Sequence, residues 1–310
     1  MDPILHHYDG SPFAEKARLM LGFKGIPWHS VHTPSILPKP DQIALTGGYR
    51  RAPVLQVGAD VYCDTRRIAP LLEELAPAPT LFGVEPLSAA AIAHWSDGTL
   101  FFLAIMTVMQ PEALPHFASS LPKAEAAGFM PDRQKFMQGA MVRFPRPSEG
   151  KPDFAHALER LEGQLADGRP YLLGSAACIA DFAAYHPLWI VRRNPGAAPV
   201  LARHPKLVAW LERMEAIGHG SVTEMPSEEA VRLAATSKPQ PIAKPACLDV
   251  EGASLGDSVD VSASDYGLEP SRGELVNADY DEIAIRRVDE RAGEVVVHFP
   301  RTGFRIQAAS

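Results

Sequence analysis

From Ile4 to Ile68 the chain alternates short apolar runs with turn signals in the order strand, helix, strand, strand, helix, an order that commits this region to a layered α/β domain. Pro3, Ile4 and Leu5 open a buried strand, which the pattern predicts to stop at the polar run His6-His7-Tyr8-Asp9-Gly10. Ser11 then stands where an N-cap belongs, and Pro12 occupies the first helical turn, where its missing N–H costs nothing. Ala14, Ala17, Leu19, Leu21 and Phe23 ride on that helix; Gly22 and Gly25 loosen its end before Pro27 forbids continuation. Residues 50–57 read as a strand whose Pro53 cannot donate to a ladder, and a turn at Gly58 leads into a second strand from Asp60 to Cys63. Asp64 and Thr65 cap a helix from Arg66 to Leu75.

The chain has 310 residues, enough for two or three domains. Residues 1–76 form the first, and the Pro-rich stretch from Pro77 to Gly83 is a linker. Residues 86–236 form a second domain that reads as all-helical. A long amphipathic helix carries Ala89, Ile92, Trp95, Leu100, Leu103 and Met106 and ends by Pro111; helices over Asp153–Leu165, Cys178–Val191 and His204–Ile217 follow, the second of them apolar enough to be central. Between the first two lie the roughly forty residues from Pro111 to Pro152, with a short helix expected after Pro131; a connection so long is a candidate wall of a substrate pocket. Residues 238–245 are a polyproline-style linker. Beyond it, residues 246–310 hold five alternating runs about ten residues apart, which suggest a small all-β domain, SH3-like in outline, with His298 and Arg301 as edge-strand residues.

Charge separates the tail from the rest. Residues 246–310 carry 13 acidic and 6 basic residues, a balance of −7, so residues 1–245 are neutral and the whole net charge of −7 sits in the tail. An acidic tail repels phosphate backbones, which argues against a nucleic-acid partner. No run of about 20 apolar residues is apparent, so no membrane span is expected. Asp2, with no basic segment ahead of an apolar run, reads as no secretory signal, and three scattered cysteines (Cys63, Cys178, Cys247) point to a reducing cytoplasm. No metal-ligand spacing, G-x-G-x-x-G, P-loop or G-x-S-x-G motif occurs.

Three segments together, Tyr8-Asp9-Gly10-Ser11-Pro12-Phe13-Ala14-Glu15-Lys16-Ala17-Arg18, Ala52-Pro53-Val54-Leu55 and Asp64-Thr65-Arg66-Arg67-Ile68, resemble the glutathione S-transferases in their bacterial-type, serine- and cysteine-containing branches. Leu173 to Phe182 is similar to the helix start of that family's all-helical second domain, with Cys178 where a Ser or Thr cap is usual and Asp181 as the structural return of the capping box. The resemblance implies a thioredoxin-like fold for the first domain, glutathione as co-substrate, a homodimer and attack of the glutathione thiolate on a small electrophile.

The chemistry it implies is specific. A thiol titrates near 8.5, and a helix N-terminus lowers that; a drop of about two units is worth ~2.7 kcal/mol and raises the thiolate fraction at pH 7 from about 3% to about 75%. Ser11, at the start of a helix, is the candidate catalytic donor to the thiolate, beside Pro12 and Phe13, and Tyr8 is its rival. A cis Ala52-Pro53 would let the Ala52 backbone pair with the cysteinyl backbone of glutathione. Asp64 would take the γ-glutamyl ammonium and Thr65 the γ-glutamyl carboxylate, while Arg50, Arg51 or Lys39 would meet the glycyl carboxylate. Tyr8, Trp95, Phe102 and Met106 are candidates for the second-substrate wall. Two alternatives stay open: a non-catalytic binding or assembly protein on the same fold, and a glutathione-dependent thiol-disulfide reductase, which a serine at position 11 disfavours.

Overall fold

A computed structural model describes residues 1–83, 85–142 and 147–309. The first domain runs β1 (Ile4–His7), α1 (Pro12–Lys24), β2 (Trp28–His32), α2 (Pro40–Thr46), β3 (Val54–Val57), β4 (Asp60–Cys63) and α3 (Thr65–Leu75). β1 pairs parallel with β2 and antiparallel with β3, and β3 pairs antiparallel with β4, which is the thioredoxin-like arrangement. β1 outruns its expected end: His6 and His7 are buried strand residues, bonded to Gln56 and Ser30 at 2.9 and 3.1 Å. β2 and α2 go beyond the sequence expectation. α1 starts and stops as its caps dictate, with Ser11 Oγ accepting from the Ala14 N–H and Gly25 closing the helix at φ 63°.

The second domain is all-helical. α4 (Pro86–Trp95), a π-helical turn (Ser96–Leu100) and α5 (Phe101–Val108) form one continuous helix, followed by α6 (Leu114–Ser120), α7 (Ala126–Phe136), α8 (Pro147–Gln164), α9 (Ile179–Arg192) and α10 (Pro205–Glu215). Residues 86–108 are, by length and composition, long and apolar enough to cross a membrane, so the expectation of no such run fails. That apolarity is used in packing against α8 and α9. α9 is the central helix. Asp181 pins its start as a purely structural group, accepting from Leu172 N, Cys178 N and Trp210 Nε1 at 2.8–3.0 Å. α7 begins five residues before Pro131 and carries that proline inside, instead of starting after it. Residues 143–146 of the long connection lie outside the described residues.

The tail departs most from a picture of separate beads. After α10 the chain returns to the first domain: β5 (Val222–Glu224) pairs parallel with β2, and α11 (Ser227–Thr236) packs beside α2. β6 (Ser258–Ala263), β7 (Ser271–Ala278), β8 (Glu282–Asp289), β9 (Gly293–Pro300) and β10 (Phe304–Ala308) then supply the five expected strands. Among the described residues the two ends of this row, β10 and β9, do not pair with each other. β9 lies parallel beside β4, so a single sheet of ten strands runs β10-β6-β7-β8-β9-β4-β3-β1-β2-β5. His298 is therefore an interior residue of the seam and not an edge one. Its ring stacks on Tyr62 at 4.5 Å and reaches Asp60 at 3.3 Å and Glu282 at 3.2 Å, while Arg67 holds Glu282 at 2.7 Å.

Two large cores follow from this layout, besides a small cluster of Ile4, Val31 and Ala230. One lies between α1 and α3 and the helical domain, around Leu19, Leu72, Phe154, Phe182 and Trp210. The other covers the opposite side of the sheet, where Leu45, Tyr49, Val54 and Val61 of the first domain meet Val259, Leu275, Ile285, Val297 and Phe304 of the tail.

Candidate functional site

Where the first domain faces the helical one, a cavity of about 1290 Å³ opens, larger than the roughly 300–1,000 Å³ usual for a ligand pocket. Helix starts and the β3 entry furnish its polar end. Ser11, Pro12 and Phe13 at the start of α1, Ala52 and Pro53 before β3, and Asp64 and Thr65 at the start of α3 all line it. The sequence places these segments some forty and ten residues apart; the sheet brings them together. The Ala52–Pro53 peptide is cis.

Each group's state follows from its neighbours. Ser11 is buried, and its oxygen accepts the Ala14 N–H at 3.2 Å. A hydroxyl has one proton to donate besides the pairs it accepts with, so Ser11 can cap α1 and still make a second hydrogen bond, with the Tyr8 phenol already within reach. The Tyr8 phenol has the Ser11 hydroxyl as a neighbour; burial raises it above its ordinary value, against the pull of Arg133, and it is a neutral donor at physiological pH. Asp64 takes the left-handed φ of 73°, unusual outside glycine, which turns its carboxylate back to cap α3. That carboxylate accepts from Arg66 N at 2.9 Å, Nε at 3.1 Å and Nη2 at 3.0 Å. Burial would raise Asp64, but Arg66, and behind it Arg51, outweigh it and hold the group well below the usual carboxylate range. Thr65 is buried, and its Oγ1 has no hydrogen-bond partner among the described residues. Thr65 lines the cavity at the N-terminus of α3, where the first backbone N–H groups of a helix favour an anion.

The basic residues sort differently from the sequence expectation. Arg50 is engaged by Asp132 of α7 and by Glu269 of the tail, and Arg51 by Asp265 of the tail, while the buried Arg51 Nε keeps no hydrogen-bond partner among the described residues. Lys39 is buried, lines the cavity and has no carboxylate partner among the described residues; its ammonium lies 5.5 Å from the centre of the Tyr8 ring. Burial first, then Arg133 and Arg50, pull it down to about 7.

The other end of the cavity is apolar. Phe101, Phe102 and Met106 line it from the helical domain, and Phe117, Phe129 and Phe136 from α6 and α7, so the long connection does wall the pocket. Trp95 does not line it. It packs into the helical core, while Ala93 and His94 beside it line the cavity. At the edge of the cavity Lys16 of α1 pairs with Asp97 of the π-turn at 2.7 Å, and His186 of α9, neutral because burial lowers it to about 4, hydrogen-bonds the same carboxylate at 2.9 Å. Sequence reasoning did not find Arg133, Phe136, Asp265 or Tyr266, which also line the cavity; their signal is tertiary, because each comes from a segment without local periodicity or a motif. Cys63, beside Asp64, is buried and its thiol is pushed well above its ordinary value. Among the described residues, no three His, Cys, Asp or Glu side chains group as metal ligands do.

Comparison with known proteins agrees with this geometry. Residues 5–80 match the model for the glutathione S-transferase N-terminal domain and residues 148–213 that for the C-terminal domain. A solved glutathione S-transferase-like protein from Pseudomonas syringae is 40% identical, covers 99% of this chain and 100% of its own, and superposes with a TM-score of 0.82. A glutathione S-transferase from Rhodospirillum rubrum (21% identity, 78% of this chain and 96% of that one, TM-score 0.53) and the β-etherase LigF from Sphingobium (17%, 70% and 96%, 0.51) share the fold. No curated protein matches.

Proposed function

The chain belongs to the glutathione S-transferase family, and from that membership we propose that it turns the glutathione thiolate against a small electrophile, with Ser11 as the donor that steadies the thiolate. The observation that carries the reading is the convergence in one cavity of Ser11 at the start of α1, the cis Ala52–Pro53 turn, and Asp64 and Thr65 at the start of α3. In this arrangement Thr65 takes the γ-glutamyl carboxylate. Asp64, which already accepts three hydrogen bonds from Arg66, accepts the γ-glutamyl ammonium with its remaining lone pair. The Ala52 backbone pairs with the cysteinyl unit, and Lys39 meets the glycyl carboxylate, which restores a full charge to an ammonium that burial has weakened. The electrophile lies among Phe102, Met106, Phe117 and Phe129, with Phe13 and Tyr8 between the two halves.

Cys63, the cysteine beside the site, has its thiol buried and pushed well above its ordinary value, so it makes a poor partner for a mixed disulfide; this favours transfer over disulfide reduction. Tyr8 is the one competitor for the donor role, because its neutral phenol neighbours Ser11. We place the protein in the cytoplasm, as a homodimer, with its three cysteines reduced.

Calorimetric titration of glutathione tests the reading. The expected result is clear binding by the wild-type protein and loss of at least about tenfold in affinity for Thr65→Val, since a hydrogen bond to a charged group is worth ~1.5–3 kcal/mol. No binding in the millimolar range would overturn it, and attention would move to the non-catalytic alternative.

A further inference from the structure

Two turns of the C-terminal strands come down on the half of the cavity that the proposed function gives to glutathione, and the inference that follows rests on that reading. The β9–β10 turn meets Arg66: Gly303, at φ 84°, stands where a Cβ would lie 2.6 Å from Arg66 Nη1. The β6–β7 connection, residues 264–270, lies along the segment leading to Pro53. Gly48 passes so close that a Cβ there would sit 2.0 Å from the Pro270 carbonyl oxygen, Tyr49 N donates to Ser271 Oγ at 3.2 Å, and Arg50 Nη1 donates to Glu269 at 3.0 Å. Arg51 donates to the Asp265 carboxylate and the Tyr266 carbonyl. The connection is tied on its other side to the long insertion, through Met141 N to Asp265 O at 2.7 Å and Gly267 N to Phe136 O at 2.9 Å.

Asp265 and Tyr266 are the two tail residues that line the cavity. The Asp265 carboxylate is consumed by Arg51. Tyr266 is different. Its ring is held on three sides: the Arg51 guanidinium lies 4.1 Å from its centre, and Phe102 and Phe136 meet it edge-on at 5.8 and 5.3 Å. Its hydroxyl has no hydrogen-bond partner among the described residues. A phenylalanine would pack against Arg51, Phe102 and Phe136 equally well, so the stacking does not account for the oxygen. Burial pushes the phenol up to about 12, with Arg51 and Arg66 drawing it down and Asp265 and Asp64 pushing it up; it keeps its proton throughout the neutral range. The guanidinium against the ring belongs to Arg51, the residue before Ala52, and also donates to the Tyr266 carbonyl, which seats the ring beside the segment leading to cis-Pro53.

We propose that the Tyr266 hydroxyl donates a hydrogen bond to bound glutathione, which makes the C-terminal strands a wall of the substrate site. Asp265 and Arg51 act as positioning residues for that ring.

The experiment compares wild type, Tyr266→Phe and Thr65→Val in calorimetric titration with glutathione, with a urea denaturation curve for each. Tyr266→Phe is expected to bind glutathione about threefold to tenfold more weakly, as the loss of one hydrogen bond from a neutral donor requires, at an unchanged urea midpoint. A lowered midpoint with unchanged affinity would make Tyr266 a packing residue and overturn the proposal. So would an unchanged affinity with a lowered turnover number, which would direct the hydroxyl at the electrophile. In both cases wild-type binding and its loss in Thr65→Val would stand, and the proposed function with them. Absence of glutathione binding by the wild-type protein would remove both at once.

Discussion

Deleting residues 246–310 is the perturbation on which the architecture makes its hardest demand. A tail built as an independent module would leave the remaining chain folded and binding glutathione. The sheet forbids that. Leu45, Val54 and Val61 are fully buried against the tail strands, and exposing three such side chains costs about 5–9 kcal/mol at ~1.5–3 kcal/mol each. Tyr49 adds to this, and β4 loses its neighbour on one side over three of its four residues, since Asp60, Val61 and Tyr62 pair with Val296, Val297 and His298. A domain's entire stability is about 5–15 kcal/mol, so the truncated chain is expected to unfold or aggregate. All four tryptophans, Trp28, Trp95, Trp189 and Trp210, precede residue 246, so their fluorescence reports on the same part of the chain in both proteins. In urea the full-length protein should show a cooperative transition and the truncated one none, or one at far lower denaturant. A truncated protein with the same midpoint and the same glutathione affinity would refute the reasoning.

Ser11→Ala should lower turnover at pH 7 by about 25-fold, the change in thiolate fraction when the thiol returns toward 8.5, with glutathione affinity falling only about fourfold and activity recovering as pH rises; equal losses in turnover and affinity would reduce Ser11 to a helix cap. The same substitution should cost ~1 kcal/mol of stability, because it removes the bond to Ala14 N. At the β4–β9 seam, burial lowers His298, but Asp60 and Glu282 outweigh it and hold it above 6.5, so its contribution to stability is complete below pH 6.5 and is lost as pH rises through the folded value. Urea midpoints of wild type and His298→Gln should therefore converge between pH 6.5 and 9. Lys39, drawn down to about 7, acts in the opposite direction but equally in both proteins, so the difference isolates His298. A constant difference across that range would show that His298 carries no proton in the seam.

What the sequence discloses and what it hides divide by range. Caps are local, and the starts of α1 and α3 are legible from Ser11-Pro12 and Asp64-Thr65, because the side chain that ends one element also satisfies the first N–H groups of the next. The same residues mark the site. β2, Trp-His-Ser-Val-His, has neither a continuous apolar run nor a turn signal at its end, and α2 is only seven residues long, so both escape. Five strands in the tail are legible from alternation. Their destination is not, since β9 joins β4 across more than 230 residues and alternation says nothing about which edge a strand will meet. Trp95 misleads for a related reason: helical spacing puts it on an apolar face, and only the packed domain decides whether that face looks inward to the core or outward to the cavity.

The charge asymmetry shows how a correct sequence observation can point away from its own explanation. A tail carrying the whole net charge of −7 looks like a surface meant for something outside the molecule. Three of its 13 acids are instead spent on arginines of the first domain. Asp265 takes Arg51, Glu269 takes Arg50 and Glu282 takes Arg67, each arginine buried or nearly so. Carboxylates that pair with buried guanidiniums are costly to remove singly, because each removal strands a cation. The consequence reaches the chemistry. With Arg50 and Arg51 held from outside the sheet, the segment leading to cis-Pro53 is braced before any ligand arrives, and Lys39 is the one of the three sequence candidates with no carboxylate partner among the described residues. A tail that both covers the sheet edge and occupies the competing arginines is in this way a determinant of how glutathione would be oriented, through charge as much as through the ring of Tyr266.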